Sequence, residues 1–191
     1  MQNETAVFYP ESLISWRRWL QKNHQSATSV WLVFHTKKSG RKTISWSDAV
    51  DVALCFGWID SKKIKIDEET AHQFFCKRKP KSTWSKINKE KVTKLIEKGQ
   101  MMEAGRMAVE MAKQNGSWTL LDAVEELVIP EDLENAFHLK PGAKDYFMSL
   151  SKSVKKAMLQ WLVLAKQPDT RLKRVNEIAE RASIGKKPKQ F

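Results

Sequence analysis

Two segments of this 191-residue chain concentrate the side chains that could do chemistry: Phe56-Gly-Trp-Ile-Asp-Ser61 and Phe74-Phe-Cys-Lys-Arg-Lys-Pro-Lys-Ser-Thr-Trp-Ser-Lys-Ile-Asn88. The first closes an apolar helix with a glycine, a tryptophan and an acid. The second sets a basic loop between a strand and a helix. If the two ends meet, Trp58 and Trp84 wall a cleft that Asp60, Ser61, Arg78, Ser85 and Asn88 line with polar groups, the makeup of a small-ligand site. Arg78 is then the natural fork for a carboxylate or phosphate, and free amides at a helix start near Ser85 favour the same anion. A purely structural arrangement uses the same residues: Asp60 pairs with Arg78, Ser82 or Ser85 caps the helix, and both indoles are core.

The basic residues Lys77, Arg78, Lys79, Lys81 and Lys86 are interleaved with Phe75 and Trp84. That mixture also suits single-stranded nucleic acid or another polyanion, with cations on phosphates and bases stacked on rings. No RRM, KH, zinc-finger or helix-turn-helix pattern accompanies it. Lys86, Lys89 and Lys94 fall opposite Val92, Leu95 and Ile96, as on an ordinary solvated helix face.

Catalytic arrangements are thin. Cys55 sits in the most apolar helix, where a thiol is inert packing. His24, His35, His72 and His138 have no ligand-pair spacing, so no metal site is assigned. The chain has no G-x-S-x-G, P-loop or G-x-G-x-x-G pattern. Asp48 and Asp51 are read as exposed carboxylates. Met101, Met107 and Met111 form a stripe whose first reading is core packing and whose second is a plastic partner surface. With no nucleophile–base pair, the reading leans against an enzyme and assigns no cofactor.

These residues must be positioned by a front part of mixed structure. Leu13, Trp16, Trp19 and Leu20 share one helix face. Val30–Phe34 reads as a buried strand, and Ser45 to Asp48 starts a helix buried on nearly every side. Ile64 and Ile66, then His72, Phe74 and Cys76, alternate with polar residues and predict a β-hairpin. A helix from about Ser85 to Lys98 stops at Gly99, and another carries the methionine stripe. The expected fold is α+β: a small antiparallel sheet flanked by helices over residues 1–115, then an all-helical domain over residues 116–191 with a loose basic tail. Val154, Met158, Trp161 and Leu162 mark one long back helix; Leu172, Val175, Ile178, Ala179 and Ala182 mark the other.

Composition is globular, with 41% hydrophobic residues, eight Trp and eight Phe. Two cysteines exclude a disulfide framework. Neither a secretory leader nor an apolar stretch of about 20 residues is present, so a cytoplasmic location and no membrane span are expected. The net charge of +12 is unevenly spread. Lys77–Lys94 has eight basic residues against Glu90, whereas Gly99–Asn135 has eight acidic against two basic. Such polarity suits an anionic ligand, a nucleic acid or a protein partner.

The runs LCFGWIDS (54–61), FFCKRKPKSTWSKIN (74–88) and GQMMEAGRMAVEMAKQNGSW (99–118) resemble the YdeI/OmpD-associated, or bacteriocin-protection, family. IPEDLENAF (129–137) and PGAKDYFMSLSKSVKKAMLQWLVLAKQPDTRLKRVNEIA (141–179) resemble its C-terminal helical region. The resemblance runs over nearly the whole chain and implies a bacterial protein with an α+β front and a helical back. It also implies a role in protection against bacteriocins or cationic peptides and an association with an outer-membrane porin. It brings no catalytic residue or cofactor. The leading functional expectation is a stress or resistance protein that acts by binding.

Overall fold

The computed structural model describes residues 5–191 and divides into two compact units, Met1–Trp118 and Thr119–Phe191. Unit one runs β1 (Val7–Phe8), α1 (Leu13–Asn23), β2 (Ser29–His35), α2 (Trp46–Cys55), β3 (Trp58–Lys65), β4 (Thr70–Lys77), α3 (Lys86–Glu97) and α4 (Glu103–Gln114). Helix α1 is started by a reciprocal cap: Ser12 Oγ accepts the Ser15 amide and Ser15 Oγ the Ser12 amide, each at 3.2 Å. Ser45 and Ser85 cap α2 and α3 through the amides of Asp48 and Asn88.

The fold class is α+β, with a sheet ordered β1-β2-β4-β3. Opposed residues share a face, so the registers Val30↔Phe75, Leu32↔Gln73 and Asp60↔Phe75 set which side chains meet the core. Val30, Leu32, Phe75 and Trp58 are buried there with Trp16, Leu20, Ala49, Val50, Ala53 and Leu54.

Two details differ from the expectation. The sheet is mixed, not antiparallel, because β1 runs parallel to β2; two residues are too few to show an alternation. The hairpin arm also begins at Trp58, six positions before Ile64. Helix α2 ends at Cys55, and Gly57 takes φ 70°, a left-handed turn that glycine adopts freely. Thus Trp58, Asp60 and Ser61 are strand residues, not a helix end.

Unit two is helical: α5 (Asp122–Glu125), α6 (Glu131–His138), α7 (Ala143–Ser149), α8 (Lys152–Val163) and α9 (Pro168–Ser183). Its core gathers Leu133, Phe137, Phe147, Met158, Leu162, Val175 and Ile178. Leu172, assigned to the α9 stripe, is exposed. The tail is anchored, not loose. Phe191 meets the Trp161 ring edge-on at 5.8 Å. Arg181 Nε donates to the Lys187 carbonyl at 3.3 Å, and the Lys189 amide donates to Glu177 Oε1 at 3.4 Å. A terminal aromatic with an apolar partner supplies the tie that frayed ends lack.

Candidate functional site

Trp58 and Trp84 line one cavity of about 420 Å³ in unit one, together with Arg78, Phe56, Gly57, His24, Lys77, Lys79 and Pro80. Helix α4 closes it with Ala104, Met107, Ala108 and Met111 at i, i+3, i+4 and i+7, one face of the helix. The indoles are almost fully buried, at 0% and 2% exposure. Trp58 packs edge-on against Trp19 at 5.9 Å, and Trp84 lies 4.9 Å from Trp118.

Backbone contact holds this wall in place. A Cβ on Gly105 would stand 2.3 Å from the Cys55 carbonyl oxygen, and one on Gly57 would stand 2.9 Å from that of Ala104. Only glycines let α4 lie this close to the α2–β3 junction. The Met102 amide donates to the Cys55 carbonyl at 3.0 Å and the Arg78 amide to that of Gly57 at 2.9 Å, which ties both sides of the cavity to one turn. The loop after β4 is pinned as well: the Pro80 carbonyl accepts from Asn115 Nδ2 at 2.8 Å and Ser117 Oγ at 3.4 Å.

Arg78 is the unusual group. Its Cζ sits 3.6 Å from the centre of the Trp84 ring, and Nη2 donates to the Thr83 carbonyl at 2.6 Å. Nε and Nη1 are buried without a hydrogen-bond partner. Among the described residues, the buried side-chain atoms in that condition are these two, Trp58 Nε1 and Ser82 Oγ. Unmet buried donors cost about 1–3 kcal/mol each, so three of them on two residues of one cavity wall are a signal for an acceptor. Loss of hydration pulls the Arg78 pKa down to about 10, while Cys76 and Asp60 act to raise it. The guanidinium remains cationic at neutral pH.

The other proposed ligand residues lie apart from the cavity. Asp60 Oδ2 accepts from Trp46 Nε1 at 2.9 Å and Gln73 Nε2 at 3.2 Å, and Gln73 also donates to the Ser61 carbonyl at 3.0 Å. Trp46 and Gln73 line a larger groove of about 780 Å³ between the β3–β4 hairpin and the start of α2, whereas Asp60 and Ser61 line neither opening. That groove wins on volume; the Arg78 cavity wins on unmet bonding capacity, which is the stronger indicator of a polar ligand. Ser85 is the α3 cap, and the Asn88 amide is its donor at 3.3 Å.

Of the basic set, Lys77 Nζ donates to the Gln25 carbonyl at 2.7 Å, whereas Lys79, Lys81 and Lys86 are exposed. Phe75 and Trp84, the rings that would stack on bases, are core residues. Asp51 pairs with Lys91. Burial pushes the Cys55 thiol up, away from the reactive thiolate. Among the described residues no group of three or more His, Cys, Asp or Glu is gathered for a metal ion, and no helix is long and apolar enough to cross a membrane.

Sequence reasoning missed Met107 and Met111 as cavity residues. They are 59% and 44% exposed, not core, and α4 buries Gly105, Val109 and Ala112 instead. The small residues Ala104, Gly105 and Ala108 were the available signal, since they mark a helix face that a neighbour approaches closely.

Two family models match, one within each unit. Residues 8–108 match a domain of unknown function, DUF8412, and residues 126–185 match the model described as Bacteriocin-protection, YdeI or OmpD-Associated. The chain belongs to the DUF8412 family, and the YdeI/OmpD-associated match is confined to its back part. No curated protein and no solved structure matches. The YdeI/OmpD resemblance is therefore established for the back of the chain, and the front motifs at 54–61 and 74–88 fall under DUF8412. In this DUF8412 protein every residue lining the Arg78 cavity except Met111 lies within the matched front segment.

Proposed function

We propose that this protein works by binding, not turnover, and that its front unit takes a small anion on Arg78 between Trp58 and Trp84. The observation that carries the reading is the gathering of unpartnered buried donors, Arg78 Nε, Arg78 Nη1 and Trp58 Nε1, around one cavity. A guanidinium stacked on an indole is held in one orientation, which spares a ligand the entropy of ordering it. Such a role fits a cytoplasmic protein of stress or resistance, and the description of the C-terminal family includes bacteriocin protection.

The test is a thermal-shift titration with sodium acetate and inorganic phosphate, with chloride at matched ionic strength as the baseline. A ligand that prefers the folded state raises its melting temperature in a saturable way. The rise is expected in the wild type and absent in Arg78→Met. An equal rise in both proteins, or none in either, ends the proposal.

A further inference from the structure

We infer that the anion held by Arg78 is the carboxylate of a compact amphiphile, whose unbranched apolar body lies along Met107 and Met111. This inference rests on the anion reading above and narrows it to one chemical class.

Three observations carry it. First, one part of the lining is apolar, namely Phe56, Trp58, Trp84 and the α4 face of Ala104, Met107, Ala108 and Met111, while His24, Gln25, Lys77 and Lys79 supply polar groups beside Arg78. A ligand that is polar throughout would set oxygens against the α4 face without partners, which is unfavourable, whereas an amphiphile meets both parts of the lining. Second, Met107 and Met111 are exposed on the same helix face and line the same cavity as Arg78, two of whose nitrogens have no partner. Flexible thioethers adapt to irregular apolar ligands and give way at small cost. Arg78 Nε and Nη1 are shielded from solvent, so under this proposal the cavity side chains adjust for a carboxylate to reach them.

Third, the charge count suits a monoanion. Arg78 supplies one mostly buried positive charge, Asp60 lies within electrostatic reach of it, the Lys77 ammonium is turned to the Gln25 carbonyl, and Lys79, which also lines the cavity, is exposed. A dianion would bring a second buried charge with no buried counterpart. The volume of about 420 Å³ holds a ligand of about a dozen non-hydrogen atoms, at the roughly 30 Å³ of a liquid water molecule.

The experiment is a fluorescence titration with straight-chain alkanoates from acetate to decanoate, kept below micelle formation, with inorganic phosphate as a separate arm. Each added methylene should tighten binding about threefold to fourfold until the cavity is full. A Met107→Gln/Met111→Gln protein should keep acetate binding and lose most of that slope. If acetate or phosphate binds through Arg78 and longer chains add nothing, the amphiphile is overturned while the anion site stands. If no anion binds at all, both are overturned. A slope that survives the double glutamine change places the body elsewhere and also overturns the inference.

Discussion

Both units lay an arginine against a tryptophan, and they treat it in opposite ways. In the front, Arg78 lies 3.6 Å above Trp84 and leaves two of its three nitrogens without an acceptor. In the back, Arg174 lies 4.9 Å from Trp161 and donates to that residue's carbonyl at 2.5 Å. Its neighbour Arg171 reaches both Asp132 oxygens, at 2.6 Å and 3.0 Å. Among the described residues, the back unit holds no buried side-chain atom without a partner. Each arginine donates to one nearby carbonyl, but only in the front are the remaining guanidinium nitrogens buried without a partner, which makes that pairing a candidate receptor. Unmet valence, not the presence of charge and aromatics, separates the two.

The comparison is broken most severely at Gly105. Gly105→Ala should destabilise the front unit by about 2–4 kcal/mol, as expected for forced overpacking against backbone, although alanine is the better helix former by about 1 kcal/mol. Denaturant unfolding measures it, and an unchanged midpoint would mean that α4 does not depend on the close approach. Next in size, Phe191→Ala should cost about 1–2 kcal/mol by removing a half-buried aromatic contact; a tail that merely drifts would show no loss.

The sign of the arginine effects sharpens the contrast. Arg78→Met should leave stability unchanged or raise it by about 1 kcal/mol, because unmet buried donors are replaced by an apolar chain. Its depressed pKa makes the folded protein bind that proton less tightly than the unfolded chain. Stability from this group therefore rises as pH climbs past about 10, and the gap between Arg78→Met and wild type should narrow there. In the back unit the sign reverses. Asp132→Asn should cost about 0.5–1 kcal/mol, discounted because the pair is partly exposed. The hydrogen bonds from Arg171 hold the Asp132 carboxyl below the ordinary carboxylate range. Its contribution is present at neutral pH and fades as the pH falls through its lowered value. Unfolding at pH 7 and in strong acid should show the variant losing less than the wild type.

Much of this arrangement was legible from residue types. A cleft between Trp58 and Trp84 with Arg78 was one of two arrangements open in the sequence; the three residues line one cavity, and both indoles are also core, as in the other arrangement. Asp60 was not placed, because pairing within the sheet turns its carboxylate to Trp46 and Gln73, and sequence spacing carries no such cross-strand information. The methionine stripe divides: Met101, ahead of α4, is core as first read, whereas Met107 and Met111 on α4 are exposed. Periodicity says which side chains travel together, not what they meet. Phe191 was overlooked because a basic tail resembles a solvated one until its last side chain finds a partner.

The contact between Gly105 and the Cys55 carbonyl also separates fixed geometry from adjustable chemistry. The distance from the α2–β3 turn to α4 is set by peptide groups, whereas the character of the opening is set by two methionines on the cavity-lining face of the helix. Exchange of Met107 or Met111 for other residues should thus retune ligand selectivity while the scaffold keeps its shape, which makes these positions the natural ones for redesign.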